Sequence, residues 1–237
     1  MDVIRNTSIT LAAFFLSFNA YALDPGEEDR QGAPSGAFDY LVYAVTWQPT
    51  FCLIKSPTTG CKPPPIMFLT HGIWAYFNST TQSANRHPSS CIKSAGCDSS
   101  DVACELSSST KDQILSNPDF TKLVTQSPEG LIKHEWQKHG TCYGADQKQY
   151  FEDFTRLRNV VQYDAQFNEL IGKSVGLEDL KALFPANTSF RCVNFQGKQL
   201  LFEVFYLIDR QGLPYTGDQG LQIGEKCLSR ETFIPGS

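Results

Sequence analysis

Eight cysteines are the feature that most restricts how this 237-residue chain can fold. They occupy positions 52, 61, 91, 97, 104, 142, 192 and 227. No two are spaced as Cys-x-x-Cys, so a zinc-binding cysteine cluster is disfavoured. An even number of cysteines in an exported chain predicts a disulfide-stabilised fold, although eight cysteines allow about 105 pairings.

The first 22 residues are typical of a secretory signal that is cleaved off. A weakly basic start containing Arg5 precedes an apolar run over residues 9–18 and a small-x-small site, Ala20–Ala22. That run is too short to span a bilayer, and no later segment is long and apolar enough. We therefore expect residues 1–22 to be removed, residues 23–37 to form a disordered lead-in, and the protein to be secreted or periplasmic.

Three of the four histidines occur in two short motifs. His71 lies in residues 70–74 (Thr-His-Gly-Ile-Trp), and an apolar strand predicted for residues 66–70 places it at a strand end. The second motif is residues 134–140 (His-Glu-Trp-Gln-Lys-His-Gly). His87 fits neither motif and is expected in a surface loop. Because imidazoles titrate near neutral pH, this clustering predicts an acid–base site.

The second motif is predicted to form the last turns of a helix. Ser127 as N-cap, Pro128 and Glu129 are typical of a helix start, and Gly140 is typical of a helix end. Four polar side chains share one arc of about 140° on a helical wheel, namely His134, Glu135, Lys138 and His139. One helix face would then present two imidazoles, a carboxylate and an ammonium to a common cleft.

These residue types suit cleavage of a ribose phosphodiester. One imidazole can remove the 2′-OH proton while another protonates the leaving 5′-oxygen. A lysine or a protonated histidine stabilises the charge that grows on the non-bridging oxygens, and a carboxylate adjusts neighbouring pKa values. We assign His71 and His139 as the acid–base pair, His134 and Lys138 to the phosphate, and Glu135 to an assisting role. Neither a metal nor a cofactor is required.

Three other interpretations remain open on the sequence alone. A zinc hydrolase is disfavoured because its motif spaces two histidines four apart, whereas His134 and His139 are five apart. A solvated polar helix face would be rich in lysine and glutamate rather than histidine. A secreted binding module would keep the fold without turnover. The net charge of −5 argues against a broad basic face that grips duplex nucleic acid.

The rest of the chain indicates a mixed fold. Strands are predicted over residues 40–47, 190–195 and 199–209, the last two joined as a hairpin. Helices are predicted over residues 150–161, 164–171 and 177–183, and residues 75–110 are rich in loop formers. With 41% hydrophobic residues and no internal repeat or linker, we expect one α+β domain over residues 38–237.

Both motifs resemble those of a known family, the ribonuclease T2 family. Residues 68–74 (Phe-Leu-Thr-His-Gly-Ile-Trp) resemble its first motif, F-x-x-H-G-L-W-P, and residues 134–142 match its second, H-E-W-x-K-H-G-T-C, at every specified position. The order and separation of the motifs agree as well. Ile73 and Ala75 depart from the usual leucine and proline, and Tyr76-Phe77 stands where an acidic residue often helps to read the base.

This resemblance implies an endoribonuclease with an α+β fold, in which a central antiparallel β-sheet is flanked by helices. It implies cleavage of single-stranded RNA without metal, through a 2′,3′-cyclic phosphate to 3′-phosphate ends, with low base specificity. We expect it to act as a monomer, with no obligate protein partner and no membrane association.

The resemblance also implies roles for individual residues. The family's catalytic and phosphate-binding residues fall on His71, His134, Glu135, Lys138 and His139. Trp74 matches a residue that lines the main base site. Tyr76 and Phe77 lie where the chain departs from the family pattern; either could stack on a base, and packing is an equally good explanation for both, with Tyr76 chosen as the candidate.

One disulfide follows from the resemblance too. Cys142 matches a cysteine that pairs with one between the two motifs, which leaves Cys91, Cys97 or Cys104; we choose Cys104. Cys52–Cys61 and Cys192–Cys227 are the other expected bonds.

Overall fold

A computed structural model describes residues 29–31, 33–55, 60–78, 86–91, 93–95, 97, 104–218 and 220–236. The predicted signal and residues 23–28 of the predicted lead-in lie outside these ranges. Within the lead-in, strand β1 (Asp29–Gln31) pairs in parallel with β4 (His87–Ser89). The prediction of disorder is therefore wrong for residues 29–31, because their backbone groups find partners in β4.

A six-stranded sheet forms the centre of the molecule. Its strands are β2 (Tyr40–Trp47), β3 (Phe68–Tyr76), β5 (Ser174–Gly176), β6 (Thr188–Phe195), β7 (Lys198–Ile208) and β8 (Glu231–Phe233). They follow the order β3-β2-β7-β8-β5, and β6 pairs with β7 as well. All these pairings are antiparallel except the short contact of Leu200 with Phe233, between β7 and β8. The predicted α+β fold with a central antiparallel sheet is confirmed.

The strand patterns explain this arrangement. All eight residues of β2 are buried, because β2 lies between β3 and β7 and both of its faces are covered. Strands buried on both faces are uniformly apolar rather than alternating. The β6–β7 hairpin turns at Gln196 and Gly197, whose φ angles are 51° and 79°. Two positive φ angles match the turn type that two-residue hairpins prefer.

Six α-helices lie within the described residues: α1 (Gln48–Ile54), α2 (Ser108–Leu115), α3 (Pro118–Thr121), α4 (Glu129–Lys138), α5 (Gln147–Arg156) and α6 (Leu177–Ala182). The segment Ala165–Leu170, predicted as part of a helix, is 3₁₀. Ser127 does not cap α4: its φ is 55°, and Pro128 occupies the N-cap position. Among the described helices, none has the length and apolar character needed to cross a bilayer.

The sheet is buried on both faces. The larger core lies between one face and the helices, and it includes Tyr43, Ile73, Trp136, Tyr150 and Phe154. A smaller cluster covers the other face and includes Tyr40, Trp74, Phe205, Leu221 and Ile223. Neighbouring residues of β3 therefore enter different cores, as the alternation of side chains along a strand requires.

All eight cysteines form disulfides: Cys52–Cys61, Cys91–Cys142, Cys97–Cys104 and Cys192–Cys227. Two of these bonds are as expected, but Cys104–Cys142 is wrong, because Cys142 pairs with Cys91. The backbone amide of Ser90 donates to the carbonyl of Lys138 (2.8 Å), and that of Cys91 donates to Thr141 Oγ1 (3.0 Å). These hydrogen bonds hold Cys91 against the end of α4, where Cys142 lies.

Candidate active site

His71 lies in the middle of β3 rather than at a strand end. Gly72 pairs with Ala44 and Thr70 pairs with Val45, so His71 is the extra residue of a β-bulge. Bulges re-aim a side chain and are common beside active sites. The prediction of a strand end is wrong because residues 72–76 continue the pairing with β2. The side chain of His71 is 27% exposed, so the bulge presents it to solvent.

One nitrogen of His71 is bound to a buried carboxylate. Nδ1 lies 2.7 Å from Glu203 Oε1 on β7. Because an ionised carboxylate only accepts hydrogen bonds, Nδ1 is the donor. Burial would lower the pKa of His71, but the carboxylates of Glu203 and Glu135 outweigh burial and raise it. His71 therefore favours the protonated form.

Glu203 has partners on two neighbouring strands. Arg191 Nη1 donates to its Oε2 (2.8 Å), and Thr46 Oγ1 donates to its Oε1 (3.0 Å). Burial would raise the pKa of Glu203, but His71 and Arg191 outweigh burial and hold that pKa at about 2. Glu203 is therefore ionised at neutral pH although it is fully buried.

Glu135 reaches the same place from α4. Its Oε2 accepts from Trp74 Nε1 (2.8 Å), and its Oε1 lies 3.6 Å from His71 Nε2. Burial raises the pKa of Glu135 to about 7. Gly72 makes this approach possible, since a Cβ at residue 72 would lie 1.9 Å from Glu135 Oε2.

His139 lies at the end of α4 and is 1% exposed. Neither ring nitrogen has a hydrogen-bond partner among the described residues. Its ring stacks on that of Trp74, with 5.1 Å between centroids, and lies 4.9 Å from that of His87. Burial, followed by the effects of His87 and Lys138, lowers the pKa of His139 well below its ordinary value. His139 therefore favours the neutral form.

The predicted polar face of α4 is divided. Glu135 and His139 are buried toward β3, whereas His134 is exposed and Lys138 is half-buried. The rings of His134 and His139 are 6.0 Å apart, and partial burial lowers the pKa of His134. The expectation that all four side chains face one open cleft is wrong, because α4 packs against the sheet on this side as well as through Trp136.

A cavity of about 520 Å³ opens beside His71. It is lined by His71 and His134, by the charged Arg191 and Glu203, and by apolar side chains that include Phe51 and Phe202. Of the five predicted catalytic residues, these two histidines are the ones that line it. The cavity size is in the range of small-molecule sites.

Comparison with known proteins identifies the family of this chain. The model of the ribonuclease T2 family matches residues 38–227. The chain belongs to the ribonuclease T2 family. As a member of that family it is an endoribonuclease.

Individual relatives are similar in sequence to most of the chain. Intracellular ribonuclease LX of Solanum lycopersicum is 27% identical over 212 residues, covering 83% of this chain and 84% of the relative. Ribonuclease T2 of Homo sapiens is 26% identical over 224 residues, covering 87% of this chain and 72% of the relative. The crystal structure of RNase NT with 5′-AMP has a TM-score of 0.58 at 22% identity, covering 84% of this chain and all 100% of that chain. The structural likeness shows a shared fold.

Both residues that the sequence suggested for base binding, Trp74 and Tyr76, are buried. Tyr76 is 0% exposed, and its ring packs between those of Tyr40 and His87. This burial disfavours its assignment as a substrate-binding residue, which stays a prediction. Trp74 is 1% exposed and covers His139. A base-binding role for Trp74 stays a prediction that requires its indole to move.

Sequence reasoning missed three residues of this ribonuclease site. His87, expected in a surface loop, is fully buried in β4, and its Nδ1 lies 3.1 Å from the carbonyl of Ala75. Glu203 and Arg191 received no role. A signal for Glu203 was present, since it is a lone acid in the apolar run of residues 200–208. A buried charge in such a strand requires a partner.

One group of side chains could hold a metal ion. The donor atoms of His134, Glu135 and His139 lie within 4.8 Å of one another. Nitrogen and carboxylate oxygen are common zinc ligands. The zinc hydrolase that the histidine spacing disfavoured therefore has a possible site here, and it needs a direct test.

Proposed function

We propose that this ribonuclease cleaves single-stranded RNA without a metal ion, by attack of the ribose 2′-OH on the adjacent phosphorus, and with low base specificity. The observation that carries the proposal is the pair of imidazoles with opposite pKa shifts, His71 and His139. Their rings each lie 5.1 Å from the indole of Trp74, His71 against its edge and His139 against its face.

His71 is proposed as the general acid. Its raised pKa favours the protonated form, and the bond from Nδ1 to Glu203 leaves Nε2 as the nitrogen that transfers a proton. Donation of that proton to the leaving 5′-oxygen releases the downstream RNA as the 2′,3′-cyclic phosphate forms. In the hydrolysis step the roles reverse: neutral His71 takes a proton from the attacking water, the bond between phosphorus and the 2′-oxygen breaks, and protonated His139 returns its proton to that oxygen. The product is a 3′-phosphate.

His139 is proposed as the general base. Its lowered pKa keeps it neutral, and both ring nitrogens lack a hydrogen-bond partner among the described residues. A neutral imidazole can accept the 2′-OH proton. Since His139 is buried, this step requires the indole of Trp74 to move aside when RNA binds.

The remaining motif residues are proposed to stabilise the transition state. Lys138 supplies positive charge for the non-bridging oxygens, and His134 donates a hydrogen bond to the phosphate from its exposed position. Glu135, with a pKa of about 7, lies 3.6 Å from His71 Nε2 and can exchange a proton in the same range.

The cavity beside His71 is proposed as the place where a nucleoside binds. Phe51 and Phe202 supply aromatic surface, and Arg191 supplies positive charge. Stacking on aromatic rings tolerates any base, which favours low base specificity. We further propose that residues 1–22 act as a cleaved signal for export and that the exported enzyme acts as a monomer.

The test is cleavage of single-stranded RNA by the oxidised protein in excess EDTA. We expect wild type to produce 2′,3′-cyclic ends, and His71→Ala and His139→Ala each to lose about 10²- to 10⁴-fold in rate. Lys133→Ala, an exposed change on α4, is the matched control and should retain full activity.

Two outcomes would contradict the proposal. If EDTA abolished cleavage and zinc restored it, the zinc site at His134, Glu135 and His139 would be favoured. If correctly folded wild type did not cleave RNA at all, a binding role would replace catalysis.

A further inference from the structure

We propose that Glu203 is a positioning residue for His71: clamped by Arg191, its carboxylate holds the imidazole by Nδ1 and leaves Nε2 available for proton transfer. This inference rests on the acid role proposed for His71.

The register of the sheet creates this arrangement. Glu203 of β7 lies directly opposite Thr46 of β2 on one side and Arg191 of β6 on the other. Directly opposed residues of antiparallel strands project from the same face with neighbouring Cβ atoms. Three adjacent strands therefore place a hydroxyl, a carboxylate and a guanidinium in one row beside the bulge that carries His71.

The two oxygens of Glu203 have separate partners. Oε2 accepts from Arg191 (2.8 Å), whereas Oε1 faces His71 Nδ1 (2.7 Å) and accepts from Thr46 (3.0 Å). A buried carboxylate needs a charged partner, and Arg191 supplies it. The second oxygen, Oε1, is thus available to hold His71. An ion pair that served the fold alone would not need this second contact.

Arg191 is itself held in place by the C-terminal segment. Gly224 has a φ of 68°, and a Cβ there would lie 2.3 Å from Arg191 Nε, so glycine leaves room for the guanidinium. Arg191 also forms an isolated β-bridge with Lys226, and its guanidinium lies 5.3 Å from the centre of the Phe202 ring. The clamp on Glu203 is therefore rigid, because it is supported from outside the catalytic motifs.

His71 needs such a support. As the extra residue of a bulge it lacks a directly opposed partner on β2, and its side chain is part-exposed. Holding Nδ1 fixes both the ring orientation and the proton on that nitrogen. When Nε2 gives its proton to the 5′-oxygen, the neutral ring keeps Nδ1–H on Glu203. Its Nε2 lone pair is then ready to take a proton from water.

The charged and titratable groups that face His71 come from three elements. Glu203 and Arg191 approach from β7 and β6, and Glu135, His134 and His139 approach from α4 and its C-terminal end. Glu203 is in hydrogen-bond contact with His71, whereas Glu135 is 3.6 Å away. Removing the charge of Glu203 should therefore change His71 more than any other single change in this set.

The experiment compares Glu203→Gln with wild type on a ribodinucleotide. We expect kcat to fall about 100-fold, with KM within about twofold, because the variant loses acid catalysis but not the cavity. Loss of the carboxylate lowers the pKa of His71, so the alkaline limb of the rate profile should move to lower pH. Nitrogen-15 NMR should show that neutral His71 no longer keeps its proton on Nδ1. Glu231→Gln, an exposed change on β8, is the matched control.

A second variant covers the risk that Glu203→Gln leaves Arg191 unpaired and does not fold. Glu203→Asp keeps the charge beside Arg191 but is one methylene shorter, so it should fold and still lower kcat more than it raises KM. If a folded variant kept the wild-type kcat, pH profile and His71 tautomer, the inference would be overturned. A loss of activity that merely follows the folded fraction, with an unchanged pH profile, would overturn it too.

Failure of the proposed function would look different. Wild type would then not cleave RNA, whereas the NMR signal of His71 would still report whether Nδ1 carries the proton. A wild-type His71 protonated on Nε2 in its neutral form would overturn the positioning role independently of activity.

Discussion

The two histidines proposed as the acid–base pair lie in opposite surroundings. His71 projects from a bulge, is 27% exposed and contacts a buried carboxylate. His139 is 1% exposed and lies among an indole, a second imidazole and a nearby lysine. The surroundings of His71 therefore supply negative charge, whereas those of His139 supply desolvation and positive charge. One residue type can serve as acid or base because its surroundings, not its identity, set its pKa.

Two contacts join these sides. Trp74 lies between the imidazoles, and its Nε1 donates to Glu135 (2.8 Å). Glu135 in turn lies 3.6 Å from His71 Nε2 and is packed against Gly72. Separating α4 from β3 should remove the contacts that join the two imidazoles, and titrating His71 and His139 separately measures how far their pKa values differ.

Among the changes that test how the two surroundings are joined, the largest effect is expected from Gly72→Ala. The new Cβ would lie 1.9 Å from Glu135 Oε2 and 2.5 Å from Trp74 Nε1, so both side chains must shift. Since a displacement of about 1 Å can cost 10²-fold in rate, we expect kcat/KM to fall about 100-fold. Overpacking should also destabilise the fold by about 1–3 kcal/mol. RNA cleavage assays and thermal denaturation measure the two effects.

The matched control is Gly130→Ala on α4. No atom lies within 4 Å of a Cβ at residue 130. Alanine is the better helix former, so this variant should be about 0.5–1 kcal/mol more stable and fully active. Wild-type activity in Gly72→Ala would show that the contact of Glu135 with β3 is not needed for catalysis.

A smaller effect is expected from a change of pH: kcat/KM should change about tenfold for each pH unit on both limbs of its pH profile. The base must be neutral, so kcat/KM should rise with pH through the lowered pKa of His139, below about 6.5. The acid must be protonated, so kcat/KM should fall with pH through the raised pKa of His71, above about 6.5. The profile is therefore bell-shaped. A rate that is flat between about pH 4 and 8 would contradict the two-histidine mechanism.

Local sequence patterns predicted the main strands of the central sheet. The strand over residues 40–47 and the β6–β7 hairpin followed from β-branched and aromatic runs and from a Gly-containing turn. Helix α4 ends close to the predicted position, but Gly140 does not adopt the left-handed conformation of a helix stop: a Cβ there would lie 2.4 Å from the Trp136 ring. Its role is close packing, which depends on residues distant in space and cannot be derived from the local pattern.

The motif residues of the candidate site could be proposed from the sequence, but their geometry could not. Motif spacing pointed to His71 and His139 as candidates, yet the bulge at His71 depends on its register with β2, and the burial of His139 depends on Trp74. Glu203 lies 132 residues from His71 along the chain. Such a contact arises from strand order, and one sequence carries no record of which strands pair.

The smallest effect on catalysis is expected from Tyr76→Leu. Tyr76 is fully buried between Tyr40 and His87, in the same core cluster as Trp74, and its ring is not open to solvent. Removing its ring should lower stability by about 2–4 kcal/mol, whereas KM and kcat for ribodinucleotides of different base should each change less than about twofold. Steady-state kinetics at a temperature where the variant stays folded separate the two effects. A KM that rose for every base, with the free energy of unfolding unchanged, would support Tyr76 as a stacking platform. It would also mean that the rings around Tyr76 separate when RNA binds.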